Sequence, residues 1–508
     1  MEARNENASH VPAIELEHVT FRYFEHGKHN VLEDASLSIP QGKITVIAGN
    51  SGCGKSTLAA VAAGLYPENG GVLSSGSIRL FGQPVGEQNP AARSRYLSMM
   101  FQNPDLQFCM DTLRKEMRFC LENICVPMKE MDAACERWAG KMDMTPFLDR
   151  KLYTLSGGEK QKAALACLFL LGSKAILMDE PFANIDEDGA KEIVRWIVKQ
   201  NREHGLTVIA IDHRLDYWLT VADEVIVIGK GGKVLERGIN RENFEAHKRF
   251  FDQEGLYYPG RYQREDSQEQ EAEPALVLEN VSMEGLLQGA SATVPKGRIT
   301  AILGPSGCGK TTLFLTLLGK KRYGGSIKAD FGQGLTEMSS ISKKERFLHM
   351  GIVFQNPSNQ FITQNVYQEV AESYRRWQPK QGEETLKAKV EEQLAAYGLG
   401  QYRKYSPYML SQGQQRRLAV LAALAGEQEV LLLDEPTYGQ DYRSTMAIMR
   451  ELQEKVEKEG LTVLMATHDR ALARAVSSVI YEVKDQKLVR VMNSKAEAGQ
   501  GGKDGAEN

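Results

Sequence analysis

Two stretches of this chain have the residue types and spacing that hold phosphate. Gly49-Asn50-Ser51-Gly52-Cys53-Gly54-Lys55-Ser56-Thr57 and Gly304-Pro305-Ser306-Gly307-Cys308-Gly309-Lys310-Thr311-Thr312 each fit the phosphate-loop pattern G-x-x-x-x-G-K-[ST]. Glycines let the backbone turn so that successive N–H groups point at an anion. The lysine reaches the β- and γ-phosphates, and the hydroxyl after it, Ser56 or Thr311, holds Mg²⁺. A glycine-rich turn that binds nothing would match this pattern once. Two matches, each between a strand and a helix, argue against that reading.

The elements that must position these loops are legible around them. Ile44-Thr45-Val46-Ile47-Ala48 and Ile299-Thr300-Ala301-Ile302-Leu303 read as short buried strands entering the loops. Leu58–Ala63 and Leu313–Leu318 read as helices leaving them, which add the helix N-terminus to phosphate binding. Further along, Ile14–Phe21 alternates like a strand, Met99–Phe101 ends a strand in a polar loop, and residues from about Thr112 to Met142 have helical spacing. Leu155-Ser156-Gly157-Gly158-Glu159-Lys160-Gln161 leads into an apolar helix, Ala163–Leu171. Ala175–Glu180 is a buried strand ending in two acids, and Val208–His213 a strand ending in a histidine. Strands alternating with helices predict an α/β fold, a parallel sheet with ligands at the carboxyl ends of its strands.

The chain is an internal repeat. Lys310 follows Lys55 by 255 positions, and the same offset relates Ser411 to Ser156, Asp434 to Asp179 and His468 to His213. The 508 residues thus hold two domains, expected at 13–250 and 275–492. The acidic stretch 251–274 reads as a flexible linker, and 493–508, rich in Gly, Lys and Glu, as a disordered tail. A net charge of −4 gives no basic field for nucleic acid. There is no run of about 20 apolar residues to span a membrane, and the polar first ten residues do not resemble a signal peptide. Two of the seven cysteines, Cys53 and Cys308, sit inside the phosphate loops, which argues for reduced thiols and a cytosolic setting.

The ordered set of phosphate loop, glutamine loop, Leu-Ser-Gly-Gly signature, Asp-Glu strand end and terminal histidine resembles an ABC-type ATPase, over nearly all of both halves. Phe101-Gln102-Asn103-Pro104-Asp105-Leu106-Gln107-Phe108 and Phe354-Gln355-Asn356-Pro357-Ser358-Asn359-Gln360-Phe361 resemble, more narrowly, the Phe-Gln-Asn-Pro-x-x-Gln-Phe of energy-coupling-factor transporters, which take up vitamins and transition metals. That family pairs two ATPase subunits, and this chain looks like the two fused. The resemblance implies tandem P-loop domains, each with a small antiparallel β subdomain and a helical subdomain. It implies ATP and Mg²⁺ as cofactors, Gln102, Gln355, Asp179 and Asp434 at the metal, Glu180 and Glu435 polarising the attacking water, and His213 and His468 at the γ-phosphate. It implies that nucleotide is sandwiched between one half's phosphate loop and the other half's signature, Ser411-Gln412-Gly413 or Ser156-Gly157-Gly158. As isolated residues, the acids could be a solvated strand end and the histidines ordinary surface residues; the ordered set argues otherwise. The implied partners are an integral membrane coupling subunit and a membrane subunit that binds the cargo, with the chain peripheral on the cytoplasmic face.

Two departures stand out. Gln412 replaces a signature glycine, which would disfavour a positive φ and weaken the first site. Tyr23 fits the aromatic that stacks on adenine in this family, with a packed surface tyrosine as the alternative. In the second copy Val281 to Gly297 spans only 16 positions, against 23 from Val19 to Gly42, and the aromatic loop is missing. Glu116 and Glu369, each 14 residues beyond its glutamine, are expected either to face an arginine of the membrane partner or to be solvated helix charges. Fused sugar-uptake ATPases and soluble twin ATPases of the ribosome are the alternative classes. The latter carry a long, basic, helical linker where this chain has a short acidic one. DNA-repair relatives would need zinc cysteines or a coiled coil, which the sequence lacks.

Overall fold

The computed structural model describes residues 11–27, 29–182, 185, 187–262, 272–305, 307–377, 382–426 and 428–491. Ser306, residues 263–271 of the expected linker and the expected tail lie outside the described residues. Apart from the short stretch Asp441–Arg443, one compact unit runs to Pro259 and a second begins at Gly260.

The strands of the first unit are β1 (Ile14–Arg22), β2 (Leu32–Ile39), β3 (Ile44–Ala48), β4 (Val72–Leu80), β5 (Gln83–Pro84), β6 (Leu97–Met100), β7 (Ala175–Asp179), β8 (Thr207–Ile211), β9 (Glu224–Ile228) and β10 (Val234–Ile239). Its helices are α1 (Lys55–Ala62), α2 (Pro90–Ser94), α3 (Leu113–Asn123), α4 (Met128–Lys141), α5 (Gly157–Leu170), α6 (Glu187–His204) and α7 (Phe244–Glu254). An antiparallel sheet has the order β2-β1-β4-β5. The larger sheet, β10-β9-β3-β8-β7-β6, is parallel except for β10 at its edge.

The second unit repeats this plan. Its strands are β11 (Pro274–Met283), β12 (Leu287–Pro295), β13 (Ile299–Leu303), β14 (Gly324–Ala329), β15 (Thr336–Glu337), β16 (Met350–Val353), β17 (Val430–Asp434), β18 (Thr462–Thr467), β19 (Val479–Lys484) and β20 (Lys487–Val491). The helices are α8 (Lys310–Leu317), α9 (Lys343–His349), α10 (Val366–Trp377), α11 (Glu383–Ala396), α12 (Gln412–Leu424), α13 (Tyr442–Glu459) and α14 (Arg470–Val476). The sheets run β12-β11-β14-β15 and β16-β17-β18-β13-β19-β20. Each unit is therefore the α/β domain expected, with its antiparallel sheet and its helical layer.

The central strands are buried throughout and mostly apolar because both sheet faces are covered. Alternation assigns their residues to two cores. In the first unit Ile176, Met178, Val208 and Ala210 face the core shared with α3, α4 and α5, whereas Leu177, Ile209 and Ile211 face the core under the antiparallel sheet. In the second unit Leu431, Leu433, Val463 and Met465 take the first role, and Leu432, Leu464 and Ala466 the second. Opposed cores clamp β3, β7 and β8, and their second-unit equivalents, at fixed register. That rigidity holds the carboxyl ends of these strands in place.

Two expectations need correction. The helical stretch 112–142 is two helices, α3 and α4, because Pro127 disfavours the helical region at Val126 and Cys125 takes φ of 60°. The expected domain end at 250 falls inside α7, and Phe244, Phe251 and Leu256 are buried in the first unit's core. Residues 251–254 therefore complete a packed helix, and the described part of the expected linker begins as folded chain.

Candidate active site: two phosphate loops with their acids and histidines

Each phosphate loop joins a central strand to the helix whose first residue is the lysine. Gly54 and Gly309 cap α1 and α8 in the left-handed region, at φ of 108° and 104°, where a side chain would be strained. A Cβ at Gly49 would come within 2.4 Å of the Ile228 carbonyl oxygen, so only glycine fits there. Both lysines are buried and fold back into their loops. Lys55 Nζ donates to the carbonyl oxygens of Gly49 and Asn50 at 2.7 and 2.9 Å. Lys310 Nζ donates to those of Gly304 and Pro305 at 2.6 and 3.0 Å. Each loop is thus wound round its lysine ammonium. Burial pushes the Cys53 and Cys308 thiols up, against the pull of the neighbouring lysines, and all seven cysteines are free thiols.

The acids stand at the ends of β7 and β17. Asp179 is 4% exposed, and its Oδ1 is buried with no hydrogen-bond partner. Burial, then the adjacent Glu180 charge, pushes its carboxyl up to about 6, with the Ser56 hydroxyl and Lys55 opposing. Asp434 is likewise raised by burial, and Thr311 Oγ1 donates to its Oδ2 at 2.5 Å. These features fit a divalent cation. A buried carboxylate oxygen lacks a partner, and a hydroxyl stands beside each carboxylate. Among the described residues no cluster of three or more His, Cys, Asp or Glu is placed to hold a metal unaided. Mg²⁺ at these positions would take few protein ligands and share its shell with phosphate and water.

Glu180 and Glu435 follow in the left-handed region, at φ of 49° and 51°. Non-glycine residues rarely adopt this backbone, and the hydrogen bonds of Glu180 N to Ile211 O and of Glu435 N to Ala466 O help fix it. The turn aims the carboxylates at the histidines. His213 Nδ1 lies 3.5 Å from Glu180 Oε1, and His468 Nδ1 2.9 Å from Glu435 Oε2. For Glu180, burial, which would raise the carboxyl, is outweighed by the opposing charge and hydrogen bond of His213, so it is held below its usual value. The same balance, with His468, lowers Glu435. His213 is raised, because Glu180 and Asp212 outweigh its burial. The Gln102 amide donates to Glu180 Oε2 at 2.7 Å, whereas Gln355 is exposed.

Within the first unit the structure therefore brings together Lys55, Ser56, Gln102, Asp179, Glu180 and His213, and within the second Lys310, Thr311, Asp434, Glu435 and His468. Tyr23 reaches the phosphate-loop helix, its hydroxyl 2.6 Å from Thr57 Oγ1. Its ring is 40% exposed and meets Phe21 and Tyr66 edge-on. In the second unit β11 and β12 are joined by Glu284–Leu286 alone, with no aromatic in that turn.

The signature stretches belong to the helical layer, where α5 packs on α3 and α4. Ser156 and Ser411 are the N-caps of α5 and α12, each in a capping box with Glu159 or Gln414. The N–H groups of Gly157 and Gly158, or of Gln412 and Gly413, form the open first turn of the helix. Gln412 therefore carries none of the backbone penalty that the sequence suggests. It is the first helical residue, and neither it nor Gly157 has a positive φ.

Glu116 and Glu369 do not face outward. They are 4% and 7% exposed. Glu116 Oε2 accepts from Cys109 N and Met110 N at 2.8 and 2.7 Å. Glu369 Oε2 accepts from Thr363 N and Thr363 Oγ1 at 2.9 and 2.7 Å. A first-turn carboxylate that folds back onto preceding amides is neither solvated nor free for a partner. These anchors hold loops whose apolar side chains are left in water: Leu106 is 79% exposed and Ile362 85%. Two residues that sequence reasoning passed over also touch the site. Gln161 Nε2 lies 3.5 Å from the Glu180 carbonyl oxygen, and the equivalent Arg416 donates to the carbonyl oxygens of Glu435 and Gln355. Nothing in the sequence singles them out, because each lies five positions after its signature serine within a polar run, Glu159–Lys162 or Gln414–Arg417, that opens the helix.

A nucleotide-triphosphate site of this form, repeated in one chain, defines an ATPase of two tandem cassettes. The family model described as ABC transporter matches residues 32–183 and 287–438, and the chain belongs to that family. It is 32% identical, over 94% of its length and 90% of the relative's, to a Bacillus subtilis protein provisionally named HMP/thiamine import ATP-binding protein YkoD. It is 31% identical, over 90% of its length and 87% of the relative's, to a Clostridium perfringens protein provisionally named ABC transporter ATP-binding protein CPE1583. Among solved structures, the archaeal ribosome recycling factor aABCE1, in complex with ribosomal stalk protein aP1, has the same fold. It matches with a TM-score of 0.61 at 20% identity, covering 92% of this chain and 87% of that one.

Proposed function

We propose that this chain energises uptake of a vitamin or transition-metal ion through an energy-coupling-factor-type membrane transporter, from the cytoplasmic face of the membrane. The observation that carries this is the pair of Phe-Gln-Asn-Pro-x-x-Gln-Phe loops and what each residue does in them. Asn103 and Asn356 accept from the amides two residues on, at 3.0 and 3.1 Å, and open short helical turns. Gln107 and Gln360 accept from the amides of Phe101 and Phe354, at 3.3 and 3.1 Å, and fold each loop back on its strand. Leu106 within the first loop, and Ile362 directly after the second, face outward. An apolar tip on an anchored loop next to the catalytic carboxylate suits a membrane subunit that must feel the state of the site. The similarity to a relative named for HMP/thiamine import supports this reading. No helix of the described residues is long and apolar enough to cross a membrane, so membrane subunits would be supplied separately.

In this reading Lys55 and Lys310 neutralise phosphate charge, and the loop N–H groups orient it. Ser56, Asp179 and Gln102, and Thr311, Asp434 and Gln355, would hold Mg²⁺, which supplies charge neutralisation to the leaving phosphate. Glu180 and Glu435 orient the attacking water, and His213 and His468 hold it in line. The two halves would pair, so that each signature serves the other half's phosphate loop.

The test is to purify the chain with its membrane partners from the native cell and identify the bound small molecule. Recovery of two membrane subunits with a vitamin or metal ion supports the proposal. Recovery with ribosomes, or with a sugar-binding system, refutes it.

A further inference from the structure

We propose that Arg416 is a positioning residue of the second nucleotide site, whose buried guanidinium ties the backbone of the Gln355 loop to the backbone that carries Glu435. Arg416 lies in the second turn of α12 and is 3% exposed. One guanidinium nitrogen donates to the Glu435 carbonyl oxygen and the other to the Gln355 carbonyl oxygen. The Tyr438 ring lies 5.3 Å from the guanidinium carbon. A single planar cation thus bridges α12, the glutamine loop and the residue after β17. Burial lowers its pKa to about 10, so it stays charged at neutral pH. A buried cation is expensive to leave unpaired, and charge-assisted donors to two carbonyls make the bridge stiff.

The first unit carries Gln161 at the same position, an uncharged side chain that is shorter. The glutamate pairings also differ between units. Glu180 accepts from the Gln102 side chain at 2.7 Å and also faces His213 at 3.5 Å, whereas Glu435 is paired with His468 at 2.9 Å and the Gln355 side chain is left exposed. The Gln355 loop is thus held through its backbone by Arg416, whereas Gln102 is held through its side-chain amide nitrogen on Glu180. The catalytic part of this inference rests on the proposed roles of Gln355 and Glu435.

The full chain carrying Arg416→Gln, the residue found in the first copy, tests this in two ways. Amide hydrogen exchange of the nucleotide-free protein should quicken in the segment 354–362 and stay unchanged in the core strand β18. In a Glu180→Gln background, where remaining turnover belongs to the second site, kcat should fall roughly fivefold with KM altered less than about twofold. Arg416→Lys, which keeps the charge but donates from one point, should recover part of the rate and little of the exchange protection. The bridge is overturned if exchange in 354–362 does not change, or if it rises uniformly across the second unit together with a lower thermal midpoint. Should Glu435→Gln leave turnover intact in the same background, the reading of Glu435 fails instead, and the exchange measurement alone decides the bridge.

Discussion

Glu180 and Glu435 show how much of this site is decided by single residues. Each adopts a backbone that a non-glycine residue avoids, and each is held there by a hydrogen bond to the neighbouring strand. The expected consequence of replacing both by glutamine is loss of hydrolysis with ATP still bound, because shape and backbone persist while the negative charge does not. Steady-state turnover and equilibrium nucleotide binding on the same preparation check this. Asp179 gives a second expectation. Its carboxyl is raised to about 6, so the folded state holds a proton that the unfolded chain releases near its ordinary value of 3.8. The native state thus binds more protons between those values, and its stability falls as pH rises through that window. Asp179→Asn should stabilise the nucleotide-free protein at pH 7 by on the order of 2 kcal/mol, and hardly at all near pH 4. Denaturant melts at the two pH values distinguish this from a uniform effect. At this scale the sequence was readable where a motif fixes residue type, as with Lys55 or Asp179. It misled at Gln412, because residue type does not reveal whether a position lies before a helix or inside its first turn.

Among the elements, the loops between each glutamine and the next helix are the most consequential. Their outward apolar residues are tolerated because Glu116 and Glu369 hold the backbone beneath them. Glu369→Gln should keep the fold but lose charge-assisted acceptance from Thr363, at a cost of about 1–3 kcal/mol. Equilibrium unfolding would register it, with faster amide exchange at 362–363; no change in either would show the anchor to be idle. The central strands behave differently. Leu432 is fully buried between β17's neighbours and the antiparallel sheet's core, and Leu432→Ala should cost about 3 kcal/mol with little cavity collapse. Strand identity was legible from continuous apolar runs, whereas α1, α8 and α5 begin at Lys55, Lys310 and Gly157, earlier than their apolar runs suggest. The break between α3 and α4 could have been read at Pro127, a local signal overruled by apolar spacing on both sides. The inward turn of Glu116 could not be read, since a first-turn acid looks the same whether it faces water or a preceding loop.

For the molecule as a whole, one plan executed twice leaves the differences between copies as the informative part. Tyr23, with its ring 40% exposed beside the phosphate-loop helix, has no equivalent in the turn Glu284–Leu286. If it stacks on adenine, Tyr23→Ala should weaken nucleotide at the first site by about 1 kcal/mol and leave the second unaltered. Site-resolved photolabelling with an adenine-reactive analogue can separate the two, and equal weakening would discard the assignment. The duplication itself was legible from one repeated offset. The far edge of the first unit was not, because α7 and Leu256 belong to it through packing that no motif announces.

The thiols divide the copies in another way. Cys109 and Cys125 are exposed, and both lie in the first unit; the second unit holds one cysteine, Cys308, partly covered beneath its phosphate loop. A maleimide dye applied to the unmodified protein would therefore colour the first half faster than its twin. Cys109, whose amide is pinned by Glu116, would put that dye beside the outward-facing loop. Without a single engineered residue, the chain offers a fluorescent handle on the surface where a membrane partner is expected to arrive.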